Sequence, residues 1–286
     1  MEVKPFLKWV GGKRKLISQL ESKFPNYIKS NDFVYVEPFL GGGAMFFHLI
    51  SNYNVKKAYL NDLNDKLINT YIDVRENCKE LVEILKKIES DYNNSSDKKT
   101  FYLDKRVEFN SLYLSVRKSA LLIFLNKTGF NGMYRENSNG EYNIPFGDMN
   151  NPTICNEELL IEISKVFNGN DIEFSSKSFE DVIIDKKNVF YYLDPPYRPI
   201  SKTSDFTSYT SGKFDDELQL KLSEYCEKIN IKDSFVMQSN SYSEDGFFQK
   251  LYSSMKIENI YAARSISADG NKRGKAKEII ITNYES

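Results

Sequence analysis

The sequence predicts an α/β fold with a mostly helical insertion. Several short segments rich in β-branched and aromatic residues have the length and composition of buried strands. A long stretch with helical apolar spacing separates the second segment from the third, and helical patterns such as 215–229 alternate with strands after it. Because this alternation is typical of a mostly parallel sheet, we expect both ends of the chain to build one sheet. The predicted strands are residues 33–38, 57–61, 171–176, 188–193, 234–239, 256–262 and 278–283.

This pattern also predicts the domain boundaries. Residues 1–62 and 156–286 would form the sheet domain, and residues 63–155 the insertion. The chain is 41% hydrophobic and 14% aromatic, enough for one large globular unit. The first residues lack the basic start and apolar run typical of a signal peptide, and the sequence has no run of about 18 apolar residues and no CxxC pair among its scattered cysteines. We therefore expect a cytoplasmic protein without a membrane segment, disulfide framework or metal site.

The distribution of charge matters more than its sum. A formal net charge of -1 does not by itself favour a nucleic-acid partner, because phosphate binding needs concentrated positive charge. Basic residues cluster at 13–15 and again between 264 and 277, where Asp269 is the single acid. A solvated charge run is equally compatible with this composition. The second cluster consists of Arg264, Lys272, Arg273, Lys275 and Lys277.

A glycine-rich turn follows the first predicted strand. Residues 37–43 have the sequence Glu-Pro-Phe-Leu-Gly-Gly-Gly and lead into an apolar helix. Glycines at a helix N-terminus let the backbone approach a ligand closely. Asp62 ends the second strand 21 positions after Gly41, near the separation at which an acid binds ribose hydroxyls. The pair predicts an adenosine-containing cofactor, although an ordinary strand-to-helix turn could also carry these glycines.

The most specific motif is Asp194-Pro195-Pro196-Tyr197, directly after an apolar strand. Prolines cannot continue a strand ladder, so the chain leaves the sheet at its carboxyl edge, where ligands of open α/β sheets bind. An adenine amino group needs acceptors for its N–H bonds to become nucleophilic, because its lone pair is delocalised into the ring. The Asp194 carboxylate and the Pro195 carbonyl can accept these bonds, and Tyr197 can stack on the base. The structural alternative is a capped turn with a packed tyrosine.

Other enzyme classes lack their defining residues. The third glycine of a dinucleotide fingerprint would fall at Phe46, and Gly11-Gly12-Lys13 does not fit the P-loop pattern. Zinc deaminases need His or Cys ligands with an H-x-E and a PCxxC pattern, and Ser/His/Asp hydrolases need a histidine. His48 is the single histidine and lies in an apolar helical segment. Nicotinamide chemistry, nucleotide hydrolysis and deamination are therefore disfavoured.

In this order, the motifs resemble the DNA adenine methyltransferases of the Dam and DpnM type. That family carries a glycine motif, then a recognition insertion, then a DPPY motif. The resemblance covers nearly the whole chain and implies a Rossmann-like S-adenosylmethionine-dependent methyltransferase sheet with an inserted, mostly helical target-recognition domain. The matching segments are residues 6–13, 37–43, 61–62, 131–135, 143–147, 194–197 and 206–209.

The resemblance implies S-adenosylmethionine as the cofactor. Lys13 would pair with the cofactor carboxylate, Asp62 with its ribose, and Trp9 would pack near the sulfonium. The implied catalytic residues are Asp194, Pro195, Pro196 and Tyr197. The implied cofactor-binding residues are Trp9, Lys13, Glu37, Phe39, Gly41, Gly43, Asp62, Ser178, Phe179 and Asp194.

The insertion resembles the family's DNA-recognition element, which implies GATC in double-stranded DNA as the target. Phe130 would be an aromatic wedge, although some relatives carry tyrosine there, and Asn131 and Arg135 would be polar base contacts. Arginine can bind guanine bidentately, with about 1–3 kcal/mol of discrimination. Arg135 could instead pair with Glu136 or Glu141. The implied DNA-binding residues are Phe130, Asn131, Met133, Arg135, Pro145, Arg264, Lys272 and Arg273.

The implied mechanism is direct, in-line transfer to the amino nitrogen of a flipped adenine, without a covalent enzyme intermediate or a metal. The segment 199–213 could close over the extruded base. We expect a monomer, with a cognate restriction endonuclease as a separate partner. One alternative is an RNA or protein-amide substrate, although relatives that act on glutamine carry Asn at the position of Asp194. The other is a DNA-binding relative without turnover.

Overall fold

A seven-stranded sheet forms the centre of the computed structural model, which describes residues 3–198, 214–231, 233–262 and 276–285. Each predicted strand is present, with bounds that differ by at most two residues, so the predicted α/β class is confirmed. The strands are β1 (Phe33–Glu37), β2 (Val55–Asn61), β3 (Ile172–Ser175), β4 (Val189–Leu193), β5 (Ser234–Ser241), β6 (Lys256–Ala262) and β7 (Ala276–Thr282).

The sheet order is β3-β2-β1-β4-β5-β7-β6, and β7 alone among these strands runs antiparallel to its neighbours. Every residue of β1 and β4 is buried, as expected for strands covered on both faces. From the β1–β4 pair the chain proceeds outward in both directions. The carboxyl ends of these two strands therefore border a crevice, the usual ligand site of an open α/β sheet.

Helices cover the sheet and fill the stretch between β2 and β3. That stretch is mostly helical, as predicted. Asn64, Asp97, Ser115 and Asn156 each cap a helix with a side-chain oxygen. The helices are α1 (Ile17–Glu21), α2 (Ala44–Asn52), α3 (Asp65–Glu76), α4 (Cys78–Asn94), α5 (Lys98–Ser111), α6 (Val116–Thr128), α7 (Glu157–Gly169), α8 (Asp216–Ile229) and α9 (Phe247–Leu251).

α6 lies at the centre of this helical region. Residues 118–126 are all buried, so the helix is enclosed on every side by α3, α4 and α5 rather than on one stripe. α3 also packs on α7 and β3, and one hydrophobic core runs from the sheet into these helices. The division at residues 62 and 155 stays a prediction. Within the described ranges, none of the helices combines the length and apolar composition needed to cross a membrane.

Residues 129–147, here called the recognition hairpin, follow α6. The Phe130 amide donates to the Pro145 carbonyl at 2.9 Å, and bridges join Gly129 to Phe146 and Glu136 to Tyr142. The Tyr102 hydroxyl donates to the Ile144 carbonyl at 2.9 Å and ties the hairpin to α5. These contacts hold the hairpin, which begins with a short 3-10 turn at Phe130–Gly132, against the helical region.

Gly147 closes the recognition hairpin at a point with no space for a side chain. A Cβ there would lie 2.7 Å from backbone atoms of Gly129, so we expect Gly147→Ala to lower the free energy of unfolding by about 1–3 kcal/mol. Gly169→Ala is the control, because nothing lies within 4 Å of its Cβ position. Urea denaturation measures both variants, and equal stabilities would contradict this account of the hairpin.

Candidate active site

A cavity of about 430 Å³ opens at the carboxyl edge of the sheet. Glu37 ends β1, while Asp62 and Asp194 directly follow β2 and β4, so the parallel strands bring these three carboxyl groups to one edge. Every residue predicted to bind the cofactor or act in catalysis lines this cavity. They are Trp9, Lys13, Glu37, Phe39, Gly41, Gly43, Asp62, Ser178, Phe179, Asp194, Pro195, Pro196 and Tyr197.

The glycine turn forms one wall of the cavity. Gly41 and Gly43 have φ angles of 49° and 68°, the left-handed region that favours glycine. A Cβ at Gly41 would lie 2.7 Å from the Trp9 indole, and one at Gly42 would lie 3.1 Å from the Trp9 Cβ. The turn and the tryptophan are therefore in such close contact that any side chain here would displace the indole.

Asp62 is held by backbone amides on both carboxylate oxygens. Gly41 N–H donates to Oδ2 at 2.9 Å and Asn64 N–H donates to Oδ1 at 3.0 Å. Burial raises the pKa of Asp62, while these two bonds oppose the rise. A carboxylate has about four acceptor positions, so Asp62 keeps capacity to accept hydroxyl donors from a ligand.

Glu37 is more deeply buried, at 2% exposure. The Tyr35 hydroxyl donates to Glu37 Oε2 at 2.8 Å. Burial is the largest cause that raises the pKa of Glu37 well above its usual range, and the nearby Asp194 carboxylate adds to it. A carboxyl group in this position favours a positively charged ligand group beside it.

Lys13 and Asp194 form an ion pair inside the cavity. Lys13 Nζ lies 2.8 Å from Asp194 Oδ1, donates to the Gly11 carbonyl at 2.8 Å, and lies 4.6 Å from the centre of the Tyr197 ring. Lys13 is 5% exposed and Asp194 19%. Burial raises the pKa of Asp194 and Lys13 opposes that rise. The sequence did not predict this pairing, which places an ammonium next to the motif's carboxylate.

Contacts from distant elements orient the rest of the Asp194–Tyr197 motif. The Tyr197 hydroxyl donates to Glu278 Oε2 on β7 at 2.8 Å. Gln219 Nε2 on α8 donates to the Pro196 carbonyl at 3.4 Å, and Ser241 Oγ on β5 donates to the Arg198 carbonyl at 2.8 Å. The sequence analysis missed these positioning residues, because nothing local marks them.

Two further residues lie in segments that match the family, but the sequence analysis assigned them no role. The side-chain amide of Asn61 donates to the Pro38 and Lys177 carbonyls, each at 3.0 Å, and so joins the segments that follow β1 and β3. Tyr134 comes from the recognition hairpin, yet it lines the cavity. The cavity is therefore built partly by the helical region.

The predicted DNA contacts in the recognition hairpin lie together on its surface. Phe130, Asn131 and Pro145 are exposed, and Phe130 is 50% exposed despite its apolar ring. Met133 is half-buried and packs against the core. Asn131 has a left-handed φ of 55°. Phe130, Asn131 and Pro145 lie at one exposed end of the hairpin, because the Phe130 amide donates to the Pro145 carbonyl.

Arg135 does not take either alternative partner that the sequence left open. Arg135 Nε donates to Asn143 Oδ1 at 2.8 Å across the hairpin. Glu136 pairs instead with Lys66 at 3.0 Å, and Glu141 accepts a bond from Asn137. Three further predicted contacts, Arg264, Lys272 and Arg273, lie outside the described residues, as does the segment 199–213.

Among the described residues, no group of three or more histidine, cysteine, aspartate and glutamate side chains is arranged to hold a metal ion. The acidic residues of the cavity follow separate strands, and two of the three are bound by backbone amides or by Lys13. The carboxylates, backbone carbonyls and aromatic rings of the cavity are the groups that face a ligand bound there.

Residues 9–266 match the D12 class N6 adenine-specific DNA methyltransferase family. The chain belongs to this family. A Type II methyltransferase, M.MjaIII of Methanocaldococcus jannaschii, is 39% identical over 99% of this chain and 100% of its own length. The DNA adenine methylase of Haemophilus influenzae is 34% identical (97% of this chain, 92% of that protein), and that of Escherichia coli K12 is 31% identical (96% and 93%).

As a D12-class methyltransferase, the protein is an adenine-specific DNA-methylating enzyme. The family resemblance, the enzyme class and DNA as the substrate, all predicted from the sequence, are confirmed. The methyltransferase fold class is also confirmed by the mixed sheet together with the family match. The roles of individual residues in the cavity stay predictions.

The Lys13–Asp194 ion pair predicts a specific pH dependence for this D12-class enzyme. Lys13→Met removes the charge that lowers the pKa of Asp194, so the carboxyl group binds its proton at a higher pH. We expect the acid limb of the pH profile of DNA methylation to move upward by about one pH unit or more. Lys15→Met, exposed on the same turn, should keep the wild-type profile. An unmoved acid limb in Lys13→Met would show that ionised Asp194 is not required.

Proposed function

We propose that this enzyme transfers a methyl group from S-adenosylmethionine to the N6 amino group of a flipped adenine, within GATC in double-stranded DNA. The proposal depends on one observation, which is that three elements meet at the carboxyl edge of β1 and β4. There the Asp194–Tyr197 motif and the glycine turn line one cavity, and the recognition hairpin supplies part of the same wall. A methyl donor and an acceptor base could thus meet next to the element that contacts DNA.

The cavity fits an adenosine-containing cation in size and chemistry. Its volume of about 430 Å³ lies within the usual range for small-molecule sites. Phe39 and Phe179 lie 5.3 Å apart, ring centre to ring centre, at the end near Ser178, and apolar rings suit a flat base. Asp62 could accept the ribose hydroxyls and Glu37 could face the positive end. When bound, S-adenosylmethionine supplies an electrophilic methyl group.

The Asp194–Tyr197 motif would hold the acceptor base. Asp194 Oδ and the Pro195 carbonyl accept the two amino N–H bonds, which favours the pyramidal form in which the nitrogen lone pair is free to react. The Tyr197 ring, fixed through its hydroxyl by Glu278, stacks on the base. As the nitrogen gains the methyl group it loses one proton, and the Asp194 carboxylate, which accepts one of its N–H bonds in this proposal, can take up that proton. An adenine within a duplex cannot reach this cavity, so the base has to flip out.

The recognition hairpin would select the sequence. Arg135 binds Asn143 through Nε, and within the described ranges no hydrogen bond joins its two terminal amino groups to another residue, so these groups could donate to a guanine edge. Phe130 is an exposed ring that can enter the space left by the flipped base, and Asn131 and Pro145 lie beside it. GATC is supported by the resemblance of residues 131–135 and 143–147 to the Dam and DpnM type. A cognate restriction endonuclease that acts separately stays a prediction.

Methyl transfer from labelled S-adenosylmethionine to matched duplexes with and without GATC tests the proposal. We expect label on adenine in GATC duplexes only. Asp194→Ala should lower the rate by about a hundredfold or more, because the amino group loses its acceptor. Asp185→Ala, on the exposed loop before β4, is the control and should keep the wild-type rate.

Each other outcome rejects a defined part of the proposal. Label on adenine in other sequences would reject GATC alone. Wild-type activity in Asp194→Ala would reject the assigned catalytic motif. The absence of label on any DNA would favour the RNA, protein-amide or non-catalytic alternatives.

Arg135 tests sequence selection separately from chemistry. Arg135→Lys keeps the charge but loses the planar fork, so we expect the preference for GATC over duplexes with one substituted base pair to fall by roughly 5- to 150-fold, equivalent to about 1–3 kcal/mol. The matched control is Arg117→Lys on α6, where the arginine pairs with Glu108. The measurement is kcat/KM on each duplex. Equal losses on all duplexes would assign Arg135 to phosphate binding or folding rather than base selection.

A further inference from the structure

Tyr134 belongs to two sites at once. In the chain it directly precedes Arg135 in the recognition hairpin, and in space it lines the cavity proposed to bind the cofactor. It is 3% exposed, so it has no free surface with which to contact DNA itself. Tyr134 is therefore a direct structural connection between the hairpin and the cavity.

On the cavity side, Tyr134 stacks on Trp9. The ring centres are 5.3 Å apart and the planes differ by 22°. Trp9 in turn lies against Gly41 and Gly42 so closely that neither could carry a side chain without displacing it. A shift of the Tyr134 ring therefore reaches the glycine turn through one intervening side chain.

On the other side, Tyr134 is anchored through its hydroxyl. The hydroxyl donates to the Glu136 carboxylate, which pairs with Lys66 of α3 at 3.0 Å. The N-cap of α3 is Asn64, whose backbone N–H donates to the Asp62 carboxylate. Burial, ahead of the Glu136 charge, raises the pKa of Tyr134, so the hydroxyl keeps its proton and remains a donor. The Tyr134 hydroxyl is thus connected, through Glu136 and the start of α3, to Asp62 in the same cavity.

Asn126 makes a parallel connection at the end of α6. Its Oδ1 accepts from the Lys8 amide at 2.9 Å, and its Nδ2 donates to the Lys8 carbonyl at 2.8 Å and to the Gly132 carbonyl at 2.9 Å. Lys8 precedes Trp9, and Gly132 lies two residues before Tyr134. The Asn126 side chain therefore joins the hairpin to the residue before Trp9, in addition to the stack of Tyr134 on Trp9.

We propose that the Tyr134–Trp9 stack couples recognition of the target sequence to occupancy of the cofactor cavity. Cognate DNA that orders the hairpin fixes the Tyr134 ring, and with it the Trp9 wall. A ligand that packs against Trp9 orders the hairpin in return. Such coupling is reciprocal, with a typical factor of about 5 to 150. Tyr134 is a positioning residue in this proposal, which rests on the proposed function.

The test measures the coupling factor directly with S-adenosylhomocysteine, which carries no transferable methyl group. Its Kd is determined with and without a GATC duplex, and the Kd of the duplex with and without S-adenosylhomocysteine. Trp9 is the chain's single tryptophan, so its fluorescence reports the stack during each titration. For wild type we expect the same factor, at least about fivefold, in both directions.

Three variants separate coupling from folding. Tyr134→Leu should bring the factor to within twofold of one, whereas Tyr134→Phe, which keeps the ring, should retain most of it. Tyr102→Leu removes a buried ring that also supports the hairpin, through Ile144, but does not line the cavity. It should lower stability and keep the coupling factor.

A wild-type factor of one, full coupling in Tyr134→Leu, or equal loss in Tyr102→Leu would each overturn the proposal while leaving the proposed function intact. Failure of wild type to bind S-adenosylhomocysteine or the duplex at all would overturn both. These results are therefore distinguishable in a single set of titrations.

Discussion

The parallel pairing of β1 with β4 places Glu37 and Asp194 at the same edge of the sheet, and the rest of the site depends on that placement. The strand order proceeds outward from this pair in both directions, so no connection crosses the carboxyl ends and a crevice stays open between them. The glycine turn enters this crevice from β1 and the Asp194–Tyr197 motif from β4. Proline after Asp194 prevents the ladder from continuing and keeps the motif at the edge.

This arrangement carries a cost in stability. Burial raises the pKa of Glu37, Asp62 and Asp194, which means that their charged forms are disfavoured in the folded protein. Backbone amides at Asp62 and the ammonium of Lys13 offset part of this cost. Functional sites commonly keep such perturbed groups because binding and catalysis need them. The proposed cationic cofactor would offset more of the cost when it binds.

The helical region is an integral part of the catalytic cavity. α3 packs on both the sheet side and α6, Asn126 holds the segment before Trp9, and Tyr134 closes the cavity wall. Such packing joins the hairpin directly to the cavity wall. It is the physical basis of the proposed coupling between recognition and chemistry.

The sequence by itself determined the strands, the glycine turn, the Asp194–Tyr197 motif and the family, because each depends on neighbouring residues. β1 and β4 are buried along their whole length and are therefore marked by apolar runs, which in β1 end before Glu37. Only the tertiary structure decided that Lys13 pairs with Asp194, that Glu278 holds Tyr197 from 81 positions away, and that Tyr134 belongs to the cavity. Such contacts join segments far apart in the chain, and packing, rather than local pattern, selects which of many chemically suitable partners meet.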